Sequence, residues 1–420
     1  MRPEILHTAR SYSRAYFLSD IFAGVTVAMV ALPLSLAIAI ASGATPAVGL
    51  VTAVVAGFLI SALGGSKVQI GGPTGAFIVV VAGVITAHGY DGLVTATFLA
   101  GLILLIAGFL RAGNLIAFVP EAVVNGFTIG IAAIIATSQI KDLFGLTADH
   151  VPADFLEKIP ALWAARGTLS PASLAVGVST IVLIVTFRRL LPRWPGLIVA
   201  VGLTSAIAAV LHLPVDTIAS RFGALPDHLP APHLPDLSPG RLTELIPSAL
   251  VIAFLAGVES LLSAIVADRL HDSTHRPNAE LLAQGWANLA SSLVGGLPAT
   301  GAIARTATSI RAGAETPVAG MVHALTILCF IYFAAPLAGY LAMPALAGVL
   351  MVTAWNMSEP HHWPHYLRLR TADKVLLVLT MLLTLLVDLT VAIGVGVALG
   401  LAIRMSRRNV PPAEWETPDR

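Results

Sequence analysis

Gly295-Gly296-Leu297-Pro298-Ala299-Thr300-Gly301-Ala302-Ile303-Ala304-Arg305 lies inside an apolar region, yet it is built from residues that break helices. Glycine and proline leave backbone groups unpaired, and each such group costs several kcal/mol in lipid. The break is tolerated only where protein buries it or a cavity solvates it. Residues 302–311 then read as a short helix that starts at mid-membrane. Its first N–H groups carry partial positive charge and point away from the helix. Arg305 sits about one turn in. A cation beside a helix N-terminus is unfavourable alone and makes sense when an anion is the third party. The device occurs twice, because Gly71-Gly72-Pro73-Thr74-Gly75-Ala76-Phe77 repeats the pattern in the first half of the chain. Two interrupted apolar segments at matching positions of two halves are the sequence mark of a transporter's binding site.

Composition agrees with a bilayer setting. Of 420 residues, 56% are hydrophobic and 11% charged, with a mean hydropathy of +0.86, against about 25% charged in a soluble domain. Cys329 is the single cysteine, so no internal disulfide forms. The first twenty residues are polar and basic and lack a cleavable-signal pattern.

The chain is expected to be an all-α polytopic membrane protein with fourteen segments. They fall at about 20–42, 47–64, 73–87, 92–110, 117–138, 172–190, 196–212, 244–268, 283–295, 302–312, 317–334, 338–355, 373–388 and 389–405. Most approach the roughly 17–25 residues that span a bilayer. The third and tenth are too short at about 1.5 Å per residue and read as half-helices, each preceded by a short strand. The last two join through a tight turn at Asp388. Residues 1–220 form a first repeat, 221–243 a Pro- and His-rich outer linker, and 244–420 a second repeat. With both termini in the cytoplasm, only Lys141, Lys158, Arg166, Arg221 and Arg241 fall outside, and nearly all the rest of the 24 Lys and Arg fall inside. The expected location is the plasma (inner) membrane.

Few charges lie at bilayer depth. Glu259 does, with Ser263 one turn later on the same face. One reading makes Glu259 a tie to Arg305 between two helices. The favoured reading makes it a coupling group for a proton or cation, since an intramembrane carboxylate usually faces a cavity. Pro33, with Leu34 and Ile38 beyond it, is placed in the cavity wall. Glu121 reads as a residue that offsets a helix dipole. Gly126-x-x-x-Gly130 and Gly396-x-x-x-Gly400 read as packing faces within the monomer. No catalytic set, metal-spaced Cys/His group or phosphate loop occurs in context, so the chain is read as a non-enzyme without cofactor or metal.

Several stretches resemble the sulfate permease (SulP) family, bacterial relatives of the multifunctional anion exchangers. They are Asp20-x-x-Ala23-Gly24-Val25-Thr26 leading to Ala31-Leu32-Pro33, Thr45-Pro46-x-x-Gly49-Leu50, Gly72-Pro73-Thr74, and Asn125-Gly126-Phe127 with Gln139-Ile140-Lys141. The most specific is Asn278-x-Glu280-Leu281-x-Ala283-Gln284-Gly285-x-x-Asn288, followed by Pro298 through Arg305 and Gly313-Ala314-x-Thr316.

The resemblance implies seven plus seven inverted segments. Segments 1–4 and 8–11 form a core, and segments 5–7 and 12–14 form a gate through which related proteins dimerise. It places an anion between the facing starts of segments three and ten, at Gly75, Ala76, Phe77, Ala302, Ile303 and Ala304, with Arg305 as the basic residue. Glu259 and Ser263 fall where a sodium-coupled bicarbonate member places its cation ligands, although the absence of hydroxyls at Ala302 and Ala304 favours a proton. Two features depart from the family. Leu34 stands where glutamine usually follows the proline, and the usual STAS domain is missing from these 420 residues. The expected partners are a small anion such as sulfate, bicarbonate or fumarate, a coupling proton or sodium, the lipid bilayer and a second copy, with no nucleic acid. Nucleobase–cation symport on the same fold and an anion channel are the alternatives, and Arg305 speaks against a neutral base.

Overall fold

The computed structural model describes residues 2–400 apart from 10–11, 115–119, 149–150, 153, 192–193, 388–390, 393 and 397. The start of segment five, the turn at Asp388 and the end of segment fourteen lie outside the described residues. The first half carries a single turn α1 (Ile5–Thr8), then α2 (Arg14–Ala41) and α3 (Pro46–Leu63). Strand β1 (Gly71–Gly72) leads into α4 (Phe77–Phe109). Then come α5 (Glu121–Phe144), α6 (Phe155–Ala164), α7 (Pro171–Leu190), α8 (Gly196–Val210) and α9 (Ile218–Phe222). The second half runs through α10 (Pro239–His271), α11 (Pro277–Leu293), β2 (Thr300–Gly301), α12 (Ile303–Arg311) and α13 (Val318–Ala338). It continues with α14 (Met343–Met357), α15 (Trp363–Tyr366) and α16 (Thr371–Leu386).

Among the described helices, α2, α3, α4, α5, α7, α10 and α13 are long and apolar enough to cross a bilayer. The expected segments three and four are the two helices within the α4 range, separated at Gly89, whose φ of 72° and ψ of 177° are not helical. Segment three begins at Phe77 rather than 73, because Pro73 and the residues after it form the turn out of β1. Segment eight begins at Pro239, earlier than 244, since proline at a first helical turn costs no hydrogen bond. Segment eleven runs on to Ala338 through Pro336, and segment twelve starts only at Met343.

The helices pack in two sets. In one, α4 lies against α10 and α11, α11 against α3, and α13 against α2 and α3. In the other, α5 lies against α14 and α16, and α7 against α14 and α8. Small residues permit close approach. A methyl added at Gly24 would lie 2.5 Å from the Ala319 carbonyl oxygen, and one at Gly126 would strike the Leu377 backbone. The Gly126-x-x-x-Gly130 face thus packs inside the chain, on α16.

Candidate functional site

The two helix breaks meet. β1 and β2 pair antiparallel, with Gly71 opposite Gly301 and Gly72 opposite Thr300. Each strand thereby satisfies backbone groups that its own helix cannot. α4 and α12 then set out from this two-stranded ribbon. The Ala302 N–H donates to the Ile70 carbonyl at 2.8 Å, and the Ile70 N–H donates to Thr306 Oγ1 at 3.0 Å. The N–H groups of Ile303, Ala304 and Arg305 have no intrahelical acceptor, as at any α-helix start.

The remaining polar groups of the break are held by α3 and α11. Asn288 Oδ1 accepts the Ala299 N–H at 2.9 Å, and its Nδ2 donates to the Ala299 carbonyl at 2.9 Å. Thr52 Oγ1 accepts the Leu297 N–H, and Ser291 Oγ donates to the Leu297 carbonyl, both at 2.7 Å. Gln284 and Gln69 both donate to Ser260 Oγ, at 2.7 and 3.0 Å. The Asn278-to-Asn288 motif is therefore a backbone-satisfying lattice. Glu280, fully buried, accepts the Ser66 N–H at 2.7 Å, and Asn278 accepts the Gly113 N–H at 3.0 Å.

Arg305 crosses from one break to the other. Its Nη2 donates to the Pro73 carbonyl, and a methyl added at Gly72 would lie 2.7 Å from its Nη1. The φ of 143° at Gly72 also requires glycine. Arg305 is only 2% exposed, and its Nε and Nη1 have no hydrogen-bond partner among the described residues. It makes no ion pair with Glu259 there. Glu259, partly exposed, instead accepts from Thr74 Oγ1 at 2.9 Å. Ser263, fully buried, meets Thr306 Oγ1 at 3.3 Å rather than Glu259.

The other expected residues spread around the ribbon. Ala76 and Phe77 are buried, at 3% and 1% exposure. Gly75 faces the second helix set, where an added methyl would lie 3.0 Å from Met357 Sδ and 3.5 Å from Thr353 Cγ2. Ala302 is buried, Ile303 partly exposed and Ala304 exposed, so the first turn of α12 opens on one side. Pro33 and Ile38 are buried, and Leu34 packs on the same apolar cluster as Ala76 and Phe77. Sequence reasoning missed Thr74, Thr306, Gln69 and His323. Thr74 was visible in the first break motif; the others carry no local signal.

The Asp20 motif has a structural task as well. The Asp20 carboxylate accepts the Glu315 and Thr316 N–H groups at 2.9 and 3.1 Å and the Thr316 hydroxyl at 2.5 Å. It thereby caps the approach to α13. Tyr12 donates to it at 3.2 Å, and burial together with that carboxylate pushes the Tyr12 phenol up to about 12.

Comparison with known proteins places this geometry. The chain is 43% identical over 373 residues to Bacillus subtilis YvdB, which carries a sulfate-transporter name, covering 88% of this chain and 70% of that one. It is 33% identical over 344 residues to the bicarbonate transporter BicA of Picosynechococcus, covering 79% of this chain and 60% of that one. The solved transmembrane domain of a cyanobacterial BicA superposes with a TM-score of 0.80 at 28% identity, over 90% of this chain and 98% of that one. Murine Slc26a9 superposes with a TM-score of 0.86 at 18% identity, over 96% of this chain and 71% of that one, which speaks for the fold. The fold is the fourteen-segment inverted repeat, in which a two-fold relation between halves pairs their strands antiparallel. With the Sulfate permease family profile matching residues 17–380, which include both break motifs and Arg305, this chain is a member of that family.

Proposed function

We propose that the chain is a secondary anion transporter that takes up a small inorganic anion or dicarboxylate with a proton, by alternating access in the plasma membrane. The observation that carries this reading is the crossing of Arg305 beneath Gly72 at a ribbon from which two helices start. One fixed cation lies there beside the starts of α4 and α12, whose dipoles favour an anion, with Glu259 the acidic group hydrogen-bonded to the same turn. Relatives named for sulfate and bicarbonate support an anionic substrate.

In this reading Gly75, Ala76, Phe77, Ala302, Ile303, Ala304 and Arg305 hold the anion, and Pro33, Leu34 and Ile38 wall the cavity. Glu259 is the coupling residue. Ser263 is its partner only if sodium replaces the proton, and its contact with Thr306 speaks for the proton. The helix set around α4, α10 and α13 carries the anion, and the set around α5 and α14 is the gate against which it moves and through which two copies pair. Both termini lie in the cytoplasm.

The test is counterflow of labelled sulfate, bicarbonate, nitrate, chloride and fumarate in proteoliposomes, for wild type and Arg305→Gln. Glutamine removes the charge and leaves a polar amide on the same helix face. Selective exchange of one or more anions, lost in R305Q with folding retained, is the expected result. Uptake through R305Q at the wild-type rate rejects the site assignment, and unitary currents would replace the carrier by a channel.

A further inference from the structure

His323 lies on α13, fully buried, and neither ring nitrogen has a hydrogen-bond partner among the described residues. An imidazole in that condition is unusual, since buried polar groups are nearly always paired. Its surroundings point to the ribbon. A methyl added at Gly57 of α3 would touch both the ring, 3.8 Å from His323 Cε1, and the Gly71 carbonyl oxygen, 3.0 Å away. The next residue along β1 is Gly72, beneath which Arg305 lies. Two nitrogens of Arg305, Nε and Nη1, are also unpaired among the described residues. Two incompletely satisfied side chains, one cationic and one able to take a proton, thus stand at the back of adjacent strand residues.

We propose that His323 is a second proton-accepting group of the transport site, taking up a proton when an anion neutralises Arg305 and giving it up when the anion leaves. The inference rests on the reading of Arg305 as the anion-binding cation. A proton on His323 in the empty site would face the Arg305 charge inside the protein, where such repulsion is strong. An anion on the far side of the ribbon cancels that repulsion, so anion and proton favour each other reciprocally. The other ionisable groups around it are few. α3 and β1 carry none. The acid of α2, Asp20, is engaged with Thr316 and Tyr12, and Arg14 is exposed at the start of that helix. Across the ribbon, Glu259 is bonded to Thr74.

The test is calorimetric titration of the purified full chain with sulfate, whose charge is constant between about pH 5 and 8, where histidine titrates. Two buffers of different ionisation enthalpy count the protons taken up per sulfate. Each proton taken up with the anion steepens the gain in affinity by about tenfold per pH unit. Wild type should show that steepening. His323→Gln should still bind sulfate but lose about one power of ten per pH unit and take up fewer protons, whereas Glu259→Gln should keep the part that depends on His323. A wild-type profile and proton count in H323Q overturn the proposal. R305Q distinguishes the two levels: if it binds sulfate as wild type does, the anion-site reading falls; if it loses binding while H323Q matches wild type, only the role of His323 falls. Nitrate and then fumarate replace sulfate if wild type does not bind it, and binding of none of the three rejects both. H323N is the second variant. Should neither variant fold, 15N-histidine spectra of wild type near neutral pH decide. A buried imidazole moving to the doubly protonated pattern on adding sulfate supports the proposal, and no such movement overturns it.

Discussion

The guanidinium of Arg305 lies directly beneath Gly72, so the side chain of one helix break occupies the space that a side chain in the other would need. The two repeats are interlocked at this point. Gly72→Ala meets both an unfavourable φ and the guanidinium, and should destabilise the protein by about 2–4 kcal/mol. Removing the arginine relieves only the contact. In an Arg305→Gln background G72A should therefore cost about 1 kcal/mol less, a coupling that a double-mutant cycle of thermal unfolding in detergent measures. Strict additivity would mean that the two residues do not share this space.

Asp20 holds the start of α13 through two backbone N–H groups and a hydroxyl. Asp20→Ala leaves these buried donors without an acceptor and should lower stability by about 2–4 kcal/mol, while Asp20→Asn, which retains one carbonyl oxygen, should cost roughly half as much. Unfolding temperatures check the order; equal values for the two variants would show that the carboxylate's second oxygen and charge contribute nothing.

Gly75 separates the start of α4 from Met357 and Thr353 of α14. Methionine yields readily, so Gly75→Ala should fold and transport near normally. Gly75→Val adds a branched wedge between the two helix sets. Its exchange rate should fall about tenfold, equivalent to about 1.4 kcal/mol on the barrier, and its anion Kd should rise, since Gly75 is read as lining the anion site as well. Unchanged rate and Kd would remove Gly75 from both the site and the surface between the helix sets.

Glu259 accepts a hydrogen bond from Thr74 that glutamine can also accept. Glu259→Gln should keep the local geometry and imitate the protonated acid. Anion exchange should persist, and uptake driven by an inward pH gradient should fall sharply, because ionised Glu259 no longer alternates with its neutral form. Undiminished pH-driven uptake would remove Glu259 from the coupling step, and sodium-dependent, pH-indifferent uptake by wild type would replace the proton with sodium.

Orientation is open to labelling. Cys329, which is exposed, is first changed to serine. Ser220→Cys, beside the linker, should then react with an impermeant maleimide from outside intact cells, and Thr274→Cys, between α10 and α11, only after permeabilisation. Labelling of both from outside would reject the assignment of cytoplasmic termini.

The sequence by itself determined the membrane class, the two breaks, the strands before the half-helices and the identity of Arg305 and Glu259 as the notable charges at bilayer depth. These are legible because hydrophobic length and helix-breaking residues are local properties, and a charge in an apolar run stands out without any partner in view. Boundaries were less legible. The break at Gly89 falls where the sequence placed it, but Pro239 and Pro336 sit where a helix tolerates proline and carry their helices further than expected. Only the tertiary structure decided that Arg305 reaches back to Pro73, that Glu259 takes Thr74, and that Ser263 takes Thr306. Those partners lie in other elements, two of them in the turn after β1 in the opposite half of the chain, and which polar groups meet depends on how the two repeats dock. His323 shows the limit most clearly. In sequence it is one histidine in an apolar helix, and its significance arises from a burial and a lack of partners that no neighbouring residue announces.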